Sequence, residues 1–151
     1  MRPPIIRSIV LTTGLILASA MASAHTVPAK DAIKFRQSAF FLIGNMFGQV
    51  NGMAQGKVPM NEAVLKSSAA NLNMLIQLPF HAFPEGSDEG KTKAKPEIWM
   101  ESKKFNDAKE ASQAAVGKLN AAVAAGNLKD LKALAAGVGK TCKGCHDQFK
   151  Q

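Results

Sequence analysis

The chain has 151 residues, a formal net charge of +8, 46% hydrophobic residues and two cysteines. That length makes one domain with room for a proper core. Its positive charge comes from dispersed lysines, with no run of five and few aromatic residues among them, which argues against nucleic-acid binding. A mild positive field suits an acidic redox partner or a membrane surface better.

The first residues have the order of a secretory signal. Arg2 and Arg7 precede an apolar stretch from Ile9 to Ala18, and Ala22-Ser23-Ala24 offers small residues at −3 and −1 of a cleavage site. A membrane anchor would need about 20 apolar residues, more than this stretch holds. The expectation is a cleaved segment over 1–24 and a single domain over 25–151. Loss of the two arginines would leave a charge of about +6. Nothing later in the chain is apolar for long enough to span a membrane.

The domain is rich in Ala, Leu, Lys and Gln, and four helices can be drawn. The first is predicted over about Asp31 to Val50, where Ile33, Phe40 and Phe47 recur every seven residues and Ile43 and Val50 share their stripe. Gly52, Gly56 and Pro59 break the chain after it. The second runs from Asn61 to Leu78 on an inner face of Leu65, Ser68, Ala69, Leu72, Leu75 and Ile76, and Pro79 ends it. The connection that follows, with Pro84, Gly86, Gly90 and several charges, reads as the most mobile in the domain. Pro96 opens the third helix, with Phe105, Ala108, Ser112, Ala115, Leu119 and Ala122 as its stripe. Gly126 ends that helix in a left-handed cap, and Asn127 caps the fourth. Leu131, Leu134, Val138, Cys142, Cys145 and Phe149 share one face of the fourth helix. Short links favour antiparallel neighbours, so the expected fold is an all-α, up-down-up-down four-helix bundle.

Chemistry is concentrated in Cys142-Lys143-Gly144-Cys145-His146. In this spacing two thiols lie close to one helical face and can add across the two vinyl groups of a single haem. The following imidazole then reaches the iron. Other readings fit less well. A thioredoxin-like motif would follow a strand in a βαβ unit. A zinc site needs more ligands, and His25 and His81 lack zinc-finger spacing. A structural disulfide leaves the adjacent histidine unexplained. The expected cofactor is one covalent haem c, carried by the C-terminal helix, with His146 as the metal ligand. The first helix has the largest side chains for the opposite wall, and Arg36, one turn before Phe40, could pair with a haem propionate.

At this point the chain resembles the cytochrome c′ family, over essentially all of residues 25–151. The residues that carry the likeness are Lys34-Phe35-Arg36-Gln37-Ser38-Ala39, Leu78-Pro79-Phe80, Lys95-Pro96-Glu97-Ile98-Trp99 and Cys142-Lys143-Gly144-Cys145-His146-Asp147. The resemblance implies a five-coordinate haem with His146 as its one axial ligand from protein. Phe40 would stand at a distal position often held by leucine, and Gln37, Phe83 and Lys150 would complete the haem contacts. It also implies a periplasmic homodimer that binds nitric oxide and carbon monoxide and discriminates against oxygen. Bound oxygen wants a hydrogen-bond donor that an apolar wall lacks. Two positions depart from the family pattern: Lys150 replaces an arginine, losing its planar fork, and His81 stands where a small residue is expected.

The main rival is a six-coordinate electron carrier with Met or His as sixth ligand. Met46, six residues after Phe40, lies 240° around the helix from it and faces away. A peroxidase would need a polar distal pocket with a base, and no such pair flanks Phe40, so an enzyme is not expected.

Overall fold

The computed structural model describes residues 27–151, so the expected signal segment over 1–24 lies outside the described residues. The seven-residue recurrence becomes the inner stripe of α1 (Ala29–Ala54), where Ile33, Ile43 and Val50 are buried and Phe40 and Phe47 are half-buried. The helix runs straight through Gly52, which was expected to break it, and stops at Gly56. Gly56 adopts φ +68°, Lys57 N–H donates to Gly52 O at 2.9 Å and Gly56 N–H to Met53 O at 3.1 Å. A glycine takes that left-handed turn without the steric cost of a Cβ.

α2 (Glu62–Leu75) begins where the Asn61 side chain accepts from Val64 N–H, an N-cap that satisfies one orphan donor. It ends three residues sooner than expected, and Pro79 opens a short 3-10 turn (Pro79–His81) rather than simply stopping a helix. The predicted third helix is divided. A single turn, α3 (Glu97–Met100), is offset from α4 (Ser102–Ala124) by Glu101, whose φ of −116° and ψ of 44° leave the helical region. The offset lets Trp99 Nε1 donate to Phe83 O at 3.0 Å while Ile98 packs with Phe105 and Phe149. α4 closes at Gly126 (φ +70°), with Asn127 N–H donating to Ala122 O. Asn127 thus belongs to the end of α4 and does not cap the next helix. α5 (Leu131–Phe149) starts after Asp130.

α1, α2, α4 and α5 form the four-helix bundle, packed in the order α1–α2, α2–α4, α4–α5 and back to α1. The main core joins Val50, Leu65, Leu72, Val116, Leu119, Val123 and Val138 across all four. In α4 Val116 and Val123 are fully buried, while Ala115 and Ala122 of the expected stripe are half-buried. A second apolar cluster of Ile98, Phe105 and Phe149 sits under the α2–α3 connection. No helix among the described residues is long and apolar enough to cross a membrane.

Leu119 is fully buried in the main core and lies outside the cleft described below. Leu119→Ala should lower stability by about 2–5 kcal/mol in urea unfolding, the cost of lost burial plus the cavity left behind. Met74→Ala, at an exposed position, should change it by less than about 0.5 kcal/mol.

Candidate functional site

Between the two apolar clusters lies a cleft of about 760 Å³. Cys142, Cys145 and His146 line one wall from the last turns of α5, and Phe40, Ile43 and Phe47 line the other from α1. The Phe40 and His146 rings approach each other from these two walls nearly edge to face, with centroids 6.4 Å apart and planes at 75°. An aromatic chain continues from Phe40 to Phe80 at 6.0 Å, then to Phe105 at 6.0 Å and Phe149 at 5.3 Å, each edge to face. In the sequence Phe80 stands out only within the Leu78-Pro79-Phe80 segment of the family likeness, and Phe105 and Phe149 only as core positions.

The charged side of the cleft is organised by Arg36, which is 2% exposed. Its Nη1 donates to Ala82 O at 3.0 Å and to Ser87 Oγ at 2.6 Å, and its Nη2 donates to Ser87 O and to Thr92 Oγ1 at 2.9 Å. The guanidinium lies 4.4 Å from the centre of the Phe83 ring. Gln37 Nε2 donates to Lys91 O at 2.8 Å. Burial lowers the Arg36 pKa while the charge of Asp88 raises it, and the group stays charged, as a guanidinium does in proteins. The connection expected to be the most mobile is therefore tied to α1 at four residues. A propionate reaching Arg36 would have to share or displace these acceptors. Ser87, fully buried in a polar stretch, carried no signal in the sequence.

Lys150 stands on the cleft rim, held by an antiparallel bridge to Ala94. His81 is exposed on the short turn and does not line the cleft. Among the described residues no methionine lines it: Met53 is in the core, Met46 packs against the core from outside, and Met60, Met74 and Met100 are exposed.

The electrostatics suit imidazole ligation and leave both sulfurs neutral. Burial pushes the Cys142 thiol up, and burial together with neighbouring Cys142 pushes Cys145 to about 11. Both sulfurs are thus neutral thiols at neutral pH and tolerate an apolar wall. Desolvation, then the positive charge of Lys150, lowers the His146 pKa against the opposing pull of Asp147. The neutral imidazole, the form that ligates a metal, is favoured at neutral pH. The cleft volume lies within the range of cofactor sites. Its lining contains no Asp or Glu, and two thiols and an imidazole project from one wall. A flat, largely apolar macrocycle with two vinyl groups fits that donor set.

A covalent haem on a four-helix bundle defines a c-type cytochrome of the helical-bundle class. Sequence comparison carries this to the family. A profile described as "Cytochrome C'" matches residues 31–150, and the chain belongs to the cytochrome c′ family. It is 46% identical to cytochrome c′ of Rubrivivax gelatinosus over 122 residues, which cover 80% of this chain and 95% of that protein. The crystal structure from that organism superposes with a TM-score of 0.78, covering 82% of this chain and 97% of the other at 45% identity. A ferrous variant of cytochrome c prime from Alcaligenes xylosoxidans, solved with bound NO, superposes with a TM-score of 0.76 at 37% identity, covering 82% and 97%. This chain is accordingly a haem-binding cytochrome carrying haem c through a C-x-x-C-H motif.

Arg36→Met should leave the buried Ser87 hydroxyl and two carbonyls without their donor, costing at least about 2 kcal/mol in urea unfolding. Hydrogen exchange across 82–92 should rise with it, while amides in the middle of α4 should show a change set only by global stability. Cys145→Ser should prevent full attachment, so denaturing electrophoresis with haem staining should give a band clearly weaker than that of the native chain.

Proposed function

We propose that this cytochrome binds nitric oxide, and carbon monoxide as an analogue, at a five-coordinate haem in the periplasm. Electron transfer is a second use of the same iron. The observation that carries the reading is the ring of Phe40 set opposite His146, nearly edge to face, with centroids 6.4 Å apart. When bound, the haem supplies an iron that takes up a small gas or an electron. The chain decides what reaches it. Among the described residues His146 offers the one imidazole bordering the cleft, and Cys142 and Cys145 hold the macrocycle in either oxidation state. Phe40, Ile43 and Phe47 offer no hydrogen-bond donor, and the donors of Arg36 and Gln37 are engaged by the α2–α3 connection, which disfavours oxygen relative to nitric oxide and carbon monoxide. Relatives support this reading, since the Alcaligenes protein is described in complexes with nitric oxide.

The six-coordinate alternative needs a second strong ligand. The methionines and His81 stand away from the cleft lining, which favours the five-coordinate state. Periplasmic location rests on the signal-like residues 1–24 and thiol-borne haem, and the dimer on α1. There Phe35, Phe41 and Leu42 are exposed and fall within about a third of the helix circumference at roughly 100° per residue. A second copy crossing on that stripe would cover them.

The oxidised protein should give a high-spin electron paramagnetic resonance signal near neutral pH. A low-spin signal would require a second protein ligand and the electron-carrier reading. Phe40→Ala should speed carbon monoxide binding by about tenfold, equivalent to roughly 1.4 kcal/mol off the entry barrier. An unchanged on-rate would remove Phe40 from the distal wall. Leu42→Glu, on the same stripe but outside the cleft lining, should shift sedimentation from dimer to monomer without changing the haem spectrum.

A further inference from the structure

Residues 91–95 read Lys-Thr-Lys-Ala-Lys, with a bend at Lys91 and a single bridge at Ala94. Thr92 and Ala94 turn inward. Thr92 accepts from Arg36, and Ala94 packs with the cluster of Ile98, Phe105 and Phe149. The lysines are sent the other way, with Lys91 and Lys93 exposed. The bridge from Ala94 to Lys150 then brings in a fourth lysine from the far end of the chain. Lys95 N–H donates to Phe149 O at 3.1 Å, and Gln151 N–H donates to Lys93 O at 2.9 Å.

Lys91, Lys93 and Lys150 border the haem cleft, and no Asp or Glu does. Asp147, one turn before, is held by Lys143. None of Lys91, Lys93, Lys95 and Lys150 is in an ion pair among the described residues. Like charges gathered around a low-dielectric opening repel one another, and the same arrangement focuses an oppositely charged partner onto that opening.

We propose that this lysine rim is the docking surface for an acidic redox protein that exchanges an electron with the haem at the mouth of the cleft. The proposal rests on the electron-transfer use of the iron given above. One electron passes from the reduced partner to the ferric iron, and no bond forms or breaks. The encounter belongs to the small, transient class of redox contacts, in which rim charges govern the on-rate.

The test uses the ferric holoprotein and two reductants, followed by stopped-flow absorbance. Reduced flavodoxin, a strongly acidic protein, probes the surface, and photoreduced riboflavin, which is small and neutral, probes the haem itself. With flavodoxin the native rate should fall steeply as ionic strength rises from about 0.01 to 1 M. Lys91→Glu with Lys93→Glu should slow that reaction by about tenfold or more at low salt and flatten its salt dependence. Riboflavin should reduce native and variant proteins at rates within about twofold of each other. An unchanged flavodoxin rate in the variant would overturn the proposal, and lysine-dependent binding to phosphatidylglycerol vesicles in that case would reassign the rim to a membrane surface. Equal slowing with both reductants would also overturn it, because the lysines would then act on the haem. Failure of both reductants to reduce the native iron, with carbon monoxide binding intact, would remove the electron-transfer reading and the proposal together.

Discussion

A buried guanidinium is expensive unless its donors are satisfied, and the shape of this cleft follows from how Arg36 meets that demand. Its acceptors come from the α2–α3 connection: Ala82, Ser87 and Thr92. Gln37 adds Lys91, and beyond it residues 93–95 pair with 149–151 at the end of α5. The connection is therefore a tie between α1 and α5, the two helices that supply opposite walls of the haem site. It anchors both helices beside the cleft without filling the space between Phe40 and His146. The aromatic chain from Phe40 to Phe149 supports the same walls from below.

Division of labour within the site follows from this frame. α5 concentrates two thiols and an imidazole within five residues, so the groups that would hold the haem and its iron come from one rigid element. The wall opposite that helix comes from α1, where Phe40, Ile43 and Phe47 carry no hydrogen-bond donor and the donors of Arg36 and Gln37 are taken up by the connection. The polar and positive residues are confined to the side where the connection passes. A gas ligand and an electron partner would thus meet different surfaces of one cleft: an apolar wall inside and a lysine rim outside.

The bundle and the attachment motif were legible in the sequence because both are local signals. Heptad recurrence at Ile33, Phe40 and Phe47 reports a helical stripe without reference to anything else in the chain. Cys142, Cys145 and His146 report their chemistry through spacing alone. Helix ends were less legible. Gly52 is tolerated inside α1 because a helix interior accepts glycine at modest cost, whereas only the left-handed turn at Gly56 stops it. Nothing in the local sequence separates α3 from α4 at Glu101, because the break serves contacts of Ile98 and Trp99 with residues elsewhere.

Sequence by itself determined the class of fold and the helix that carries the C-x-x-C-H motif, since each depends on neighbours within a turn or two. Tertiary structure alone decided what Arg36 and the α2–α3 connection do. The composition of that connection resembles a loose loop, yet its carbonyls and hydroxyls are acceptors for a cation on α1. Likewise Lys93 and Lys150 become neighbours only through a backbone bridge between segments far apart in the chain. Such partners leave no periodic trace, because long-range hydrogen bonds constrain single positions and not patterns.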